Sequence, residues 1–208
     1  MKKIIVLLLI TVMAVGLMAG CGSQEAGGEK GTVYVYCFGD YFDPELEYQF
    51  EEETGYDVVI DLFDTNEEMY PVIKNNTAQY DVICASDYMI ERLISEDLLA
   101  EINYDNVPNA SNIADNIKPF MEEFDPGMVH SLPHTWGTYG IMYNKTMVNS
   151  EIDSWEDLWD TQYSGQIVMP NSMREGFMIA AKLLGYSMNT TDEAQIKEMT
   201  DKLIEQKP

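Results

Sequence analysis

Side chains able to hold a cation gather at three places in this chain of 208 residues. The first is "YCFGDYF", with Phe38, Tyr41 and Phe42; the second is "ASDYM", with Ser86 and Tyr88; the third is "NSMREGF", with Ser172 and Glu175. An aromatic face attracts an ammonium group through its ring quadrupole and covers neighbouring methylenes, at about 0.5 to 2 kcal/mol per contact. Carboxylates hold the charged end by charge-assisted hydrogen bonds, and hydroxyl oxygens add acceptors. Catalytic sets are absent by comparison: no nucleophile–base pair, acid/base carboxylate pair or metal cluster has recognisable context. His130 and His134 lack the Cys-x-x-Cys or His-Glu-x-x-His setting of a zinc site. Neither Gly-x-x-x-x-Gly-Lys nor Gly-x-Ser-x-Gly occurs. The expectation is therefore a binding protein with no cofactor and no metal; a lipid-anchored extracellular enzyme is the weaker alternative.

The elements that must position these residues alternate from residue 32 onward. "TVYVYC" reads as a strand; Asp43 then caps a helix with Pro44 at its first position, Leu46 and Phe50 on one face, and Gly55 as terminator. "YDVVIDLF" (56–63) is a second strand. A helix follows with Thr65 and Glu68 at capping-box spacing, and Pro71 inside it should kink or shorten it. "YDVICAS" (80–86) is a third strand, and "DYMIERLISEDLL" a helix with Met89, Leu93 and Ile94 at helical spacing. This order predicts an α/β fold with a parallel, doubly wound sheet. Further on, 101–128 is irregular, 137–145 and 166–170 read as strands, and Ser154 caps a short helix. Helices are expected from Met173 to Leu184, closed by Gly185, and from Thr191 to Gln206. Ligands of open parallel sheets bind beyond the carboxyl ends of the strands. Here those positions are Phe38–Tyr41, Ser86–Tyr88 and Asn171–Glu175. Phe38 and Phe42 either line such a cleft or plug the sheet end beneath a loop.

Both the start and the charge bear on location. "MKKIIVLLLITVMAVGLMAGC" (1–21) has two lysines, an apolar run of signal-peptide length and a small-residue pair before Cys21. It resembles a lipoprotein signal in which Cys21 carries the lipid, with an ordinary signal peptide or anchor helix as the competing reading. Residues 22–31 then form a flexible Gly-rich linker. Residues 22–208 keep ten of the 12 basic residues and all 36 acidic ones, for a formal charge of −26. That charge disfavours nucleic acid and suits either a cationic ligand or a solubility surface. Cys37 and Cys84 fall in apolar strand runs and are expected as buried, unbridged thiols.

Several blocks together carry a resemblance: "YVYCFGDYFDPELEYQFEEETGYDV", "NEEMYPVIKN", "YDVICASDYMIERL", "LPHTWGTYGIMYN", "SWEDLWDTQYSGQI", "MREGF" and "LLGYSMNTTD". From Thr32 the chain resembles the polyamine-binding (spermidine/putrescine) solute receptors of bacterial ABC importers. That resemblance implies a periplasmic binding protein-like II fold, a two-lobed doubly wound sheet. Residues 32–135 would form lobe 1 and 136–208 part of an incomplete lobe 2, with the first crossing near His134–Gly137. It implies ligand contacts at Phe38 (where the family has tryptophan), Tyr41, Ser86, Tyr88, Ser172 (where the family has aspartate) and Glu175. The departures at 38 and 172 leave open a same-fold receptor for a different cationic or amino-acid-derived ligand. Glu175 has a second reading, as a charge stabilising a helix first turn. The implied partners are a polyamine, ABC permease subunits and the membrane through the lipid at Cys21, with the receptor monomeric and extracytoplasmic.

Overall fold

The computed structural model describes residues 30–39 and 41–207. The signal segment with Cys21, the linker through residue 29, Asp40 and Pro208 lie outside the described residues. Contacts divide the chain into two compact units, one ending at Ala100 and the other starting at Glu101. That division falls upstream of the boundary near residue 135 expected from the sequence.

In the first unit β1 (Thr32–Phe38) is the middle strand of a parallel three-stranded sheet of order β2-β1-β3. It pairs with β2 (Asp57–Phe63) over its whole length and with β3 (Val82–Cys84) through Val35, Tyr36 and Cys37. The expected third strand is shortened at its start because the Asp81 carboxylate takes the Tyr34 N–H at 2.9 Å. β1 is buried on both faces, with Val35 and Cys37 on one and Tyr36 on the other, as parallel sheets require. The last two linker residues are tied down: Lys30 N donates to Gly55 O at 3.1 Å, and Gly31 O accepts from Asp57 N at 3.0 Å.

Each helix starts where its capping residue dictates. Asp43 accepts from Glu45 N ahead of α1 (Pro44–Thr54), which ends at Gly55 in the left-handed region with φ 76°. Leu46 and Phe50 share one face of α1 and both are exposed; the helix buries none of its residues. Thr65 Oγ1 accepts from Glu68 N at 3.2 Å ahead of α2 (Asn66–Lys74), and the Glu68 carboxylate reaches back to Asp64 N at 3.3 Å. The helix stops three residues after Pro71, which has no N–H to give. α3 (Asp87–Ser95) completes the alternating α/β pattern.

Met69 of α2 and Met89 and Leu93 of α3 meet Tyr36 and Phe63 of the sheet in one buried core. Burial of each such side chain contributes about 1.5 to 3 kcal/mol. Tyr36 stacks on Tyr80 with centroids 4.4 Å apart. Burial, reinforced by the hydrogen bond to Asp61, pushes the Tyr80 phenol up to about 12.

The second unit contains short helical turns, among them α4 (Lys118–Met121), and two longer helices, α5 (Met173–Leu184) and α6 (Glu193–Gln206). α5 and α6 pack through Ala180, Ala181 and Met199. Trp159 Nε1 donates to Lys202 O at 2.9 Å and Gln206 Nε2 to Leu158 O at 3.0 Å, which fastens the 155–159 turn to α6. Residues 102–131 are held by bonds among themselves. Ile102 N donates to Val129 O at 2.8 Å. The buried Asp125 carboxylate accepts from the backbone of Val129, His130 and Ser131 and from the Ser131 hydroxyl.

Two expected strands are corrected. Residues 137–145 and 166–170 form no ladder, and every described strand lies in the first unit. The alternation of extended chain survives: Ile141, Tyr143, Ile167 and Met169 are half-buried, whereas Met142 and Val168 are 98% and 93% exposed. A strand needs a neighbour within hydrogen-bonding distance. These two segments instead line a cavity of about 460 Å³.

Candidate functional site

Parallel strands bring their carboxyl ends to one edge, so the register that opposes Cys37 to Cys84 sets Phe38 at the end of β1 and Ser86 two residues beyond the end of β3. β2 ends beside them at Phe63, paired with Phe38. Phe38 lies 4.4 Å from Phe63 and 5.3 Å from Tyr41, centroid to centroid. The ring is half-buried: one contact reaches the core and the other reaches the exposed Tyr41. The contact with Phe63 is the sheet-end packing that the sequence offered as one of two readings of Phe38.

Ser86 and Tyr88 are joined by a residue that sequence reasoning missed. Asn66, the first residue of α2 and buried, donates through Nδ2 to Ser86 Oγ and to Tyr88 Oη, each at 3.0 Å. Its Oδ1 accepts from Ser86 N at 3.2 Å. Tyr88 Oη donates in turn to Glu67 Oε1 at 3.1 Å. The available signal was positional: Asn66 and Glu67 open a helix directly after a strand end, where ligand groups of open sheets gather.

Ser172 and Glu175 belong to the second unit. Ser172 stands at the N-cap of α5, but its side chain makes no capping bond. Glu175 lies in the first turn, and its Oε2 is buried with no hydrogen-bond partner among the described residues. A buried carboxylate oxygen without a donor is costly, of the order of 1 to 3 kcal/mol or more, so this atom suits an incoming cationic donor. Two cavities occur in this unit, the 460 Å³ one and another of about 290 Å³ at Pro133–Trp136, and neither is lined by Ser172 or Glu175.

The described residues hold no group of three or more His, Cys, Asp or Glu side chains placed to bind a metal. None of their helices is long and apolar enough to cross a membrane.

The spermidine/putrescine-binding periplasmic protein of Escherichia coli is 31% identical over 194 residues, covering 92% of this chain and 55% of that protein. A spermidine/putrescine ABC transporter substrate-binding protein from Streptococcus pneumoniae is 40% identical with TM-score 0.66, over 84% of this chain and 54% of the other. A putative spermidine/putrescine ABC transporter structure from Listeria monocytogenes is 36% identical with TM-score 0.79, over the same shares. The chain spans about half the length of the curated relatives it matches. The profile of bacterial extracellular solute-binding proteins matches residues 46–208, and the chain belongs to that family.

Proposed function

We infer that the chain serves an extracytoplasmic solute-binding lipoprotein of an ABC importer, anchored through Cys21, that captures polyamines such as spermidine or putrescine for its permease. The observation that carries this reading is the buried, unpartnered Oε2 of Glu175. It sits on a helix whose N-cap serine leaves its hydroxyl out of the cap. Aromatic faces at Phe38 and Tyr41 and hydroxyls at Ser86 and Tyr88 supply the complementary chemistry for a chain of methylenes between ammonium ends. In this reading residues 32–135 and 136–208 contribute to the two lobes of a periplasmic binding protein-like II receptor.

A second reading keeps the fold and changes the ligand. Phe38 and Ser172 stand where the resemblance leads one to expect tryptophan and aspartate, which removes one better cation–π face and one charge. Calorimetric titration with spermidine, putrescine, lysine and glutamate separates the two. Heat with the polyamines and none with glutamate supports the first reading. A preference for lysine or glutamate over both polyamines supports the second, and heat with none of the four supports neither.

A further inference from the structure

Asn66 touches both hydroxyl residues of the first unit's half-site, Ser86 and Tyr88, and its orientation is fixed by chemistry. The Ser86 backbone N–H can only donate, so the atom 3.2 Å from it must be the amide oxygen. The amide nitrogen therefore faces Ser86 Oγ and Tyr88 Oη, each at 3.0 Å, and both oxygens receive a hydrogen from it. The Tyr88 proton is committed elsewhere, to Glu67 Oε1 at 3.1 Å. Asn66 is 5% exposed, so water does not compete freely for these bonds.

We propose that Asn66 is a positioning residue that fixes the Ser86 and Tyr88 oxygens and, with Glu67, presents the Tyr88 oxygen as a hydrogen-bond acceptor, thereby favouring ligands that bring a donor there, ammonium groups above all. This inference rests on the polyamine reading and adds a specificity device to it. With its proton held by Glu67, the Tyr88 oxygen meets any further group as an acceptor. The Ser86 oxygen is held at one point by the amide, so its place is set before ligand arrives. Preorganisation of this kind raises affinity by lowering the cost of ordering the site.

The test is a mutant cycle on the 208-residue chain, read by calorimetry with spermidine and by thermal melting. Asn66→Ala is expected to weaken spermidine about tenfold in the parent chain, and less than about twofold in a Ser86→Ala/Tyr88→Phe background, where no hydroxyl remains to be positioned. Equal losses in both backgrounds, or an unchanged affinity in Asn66→Ala, overturn the proposal. Should Asn66→Ala fail to fold, Glu67→Gln at an exposed position replaces it. A loss of at least about threefold is expected there, and its disappearance in Tyr88→Phe; a loss that persists in Tyr88→Phe is a general charge effect and contradicts the relay. A parent chain that gives no heat with spermidine or putrescine refutes the polyamine reading and this proposal with it. Parent binding with an inert Asn66→Ala refutes the proposal alone.

Discussion

Cys37 and Cys84 oppose each other directly in the β1–β3 ladder, and both are free thiols. Neighbouring strands run about 4.8 Å apart with register partners pointing the same way, whereas a disulfide needs Cβ atoms about 3.8 Å apart and converging. Burial pushes both thiols up, Cys84 to about 11 with a further contribution from Cys37. Native protein should therefore resist iodoacetamide near neutral pH, and both cysteines should alkylate after denaturation. A two-proton mass deficit in the oxidised protein contradicts this.

Glu96 ties α2 to α3. It accepts from Tyr70 Oη at 2.7 Å and pairs with Lys74 at 3.0 Å and Arg92 at 3.1 Å. The Tyr70 bond first, then Lys74 and Arg92, hold its carboxyl at about 2, below the ordinary 4.5. A depressed carboxylate stabilises the fold above its unfolded value, and that contribution is lost as pH falls from about 4.5 through about 2. The melting-temperature gap between the parent and Glu96→Gln should be open at neutral pH and close across that window. A gap constant down to the low end means the ion pairs contribute no pH-dependent stability.

Leu93 is fully buried in the core of the first unit. Leu93→Ala should destabilise that unit by about 2 to 5 kcal/mol through lost transfer energy and a cavity. Chemical denaturation followed by a probe in residues 30–100 checks it, and a loss below about 1 kcal/mol would place Leu93 at a site that collapses freely.

Phe38→Trp offers a larger face at the exit of β1. Spermidine affinity should rise by roughly threefold if the ring faces an ammonium. Unchanged affinity in a variant that melts like the parent assigns Phe38 to the Phe63 side of its two contacts.

The sequence made β1, β2 and the helix starts legible because each depends on local signals: alternation, Asp43 and Thr65 as caps, Gly55 and Gly185 as stops. The α5 and α6 spans were readable for the same reason. What was not legible depends on partners. Whether 137–145 becomes a strand is decided by a neighbouring backbone rather than by its own residues. Asn66 acts across 20 residues to reach Ser86, and only the fold brings the two together.

In the proposed function, Glu175 Oε2, buried and without a hydrogen-bond donor among the described residues, awaits an ammonium group. Glu175→Gln keeps the shape and an acceptor oxygen and removes the charge. A charged hydrogen bond of this type is worth about 1.5 to 3 kcal/mol, or roughly a ten- to hundredfold change in Kd. The measurement is the spermidine Kd of the parent, of Glu175→Gln and of Glu52→Gln, a control on the exposed face of α1. A loss of that size is expected for Glu175→Gln and almost none for Glu52→Gln. Equal affinity in the parent and Glu175→Gln would make Glu175 a helix-end charge and contradict the site.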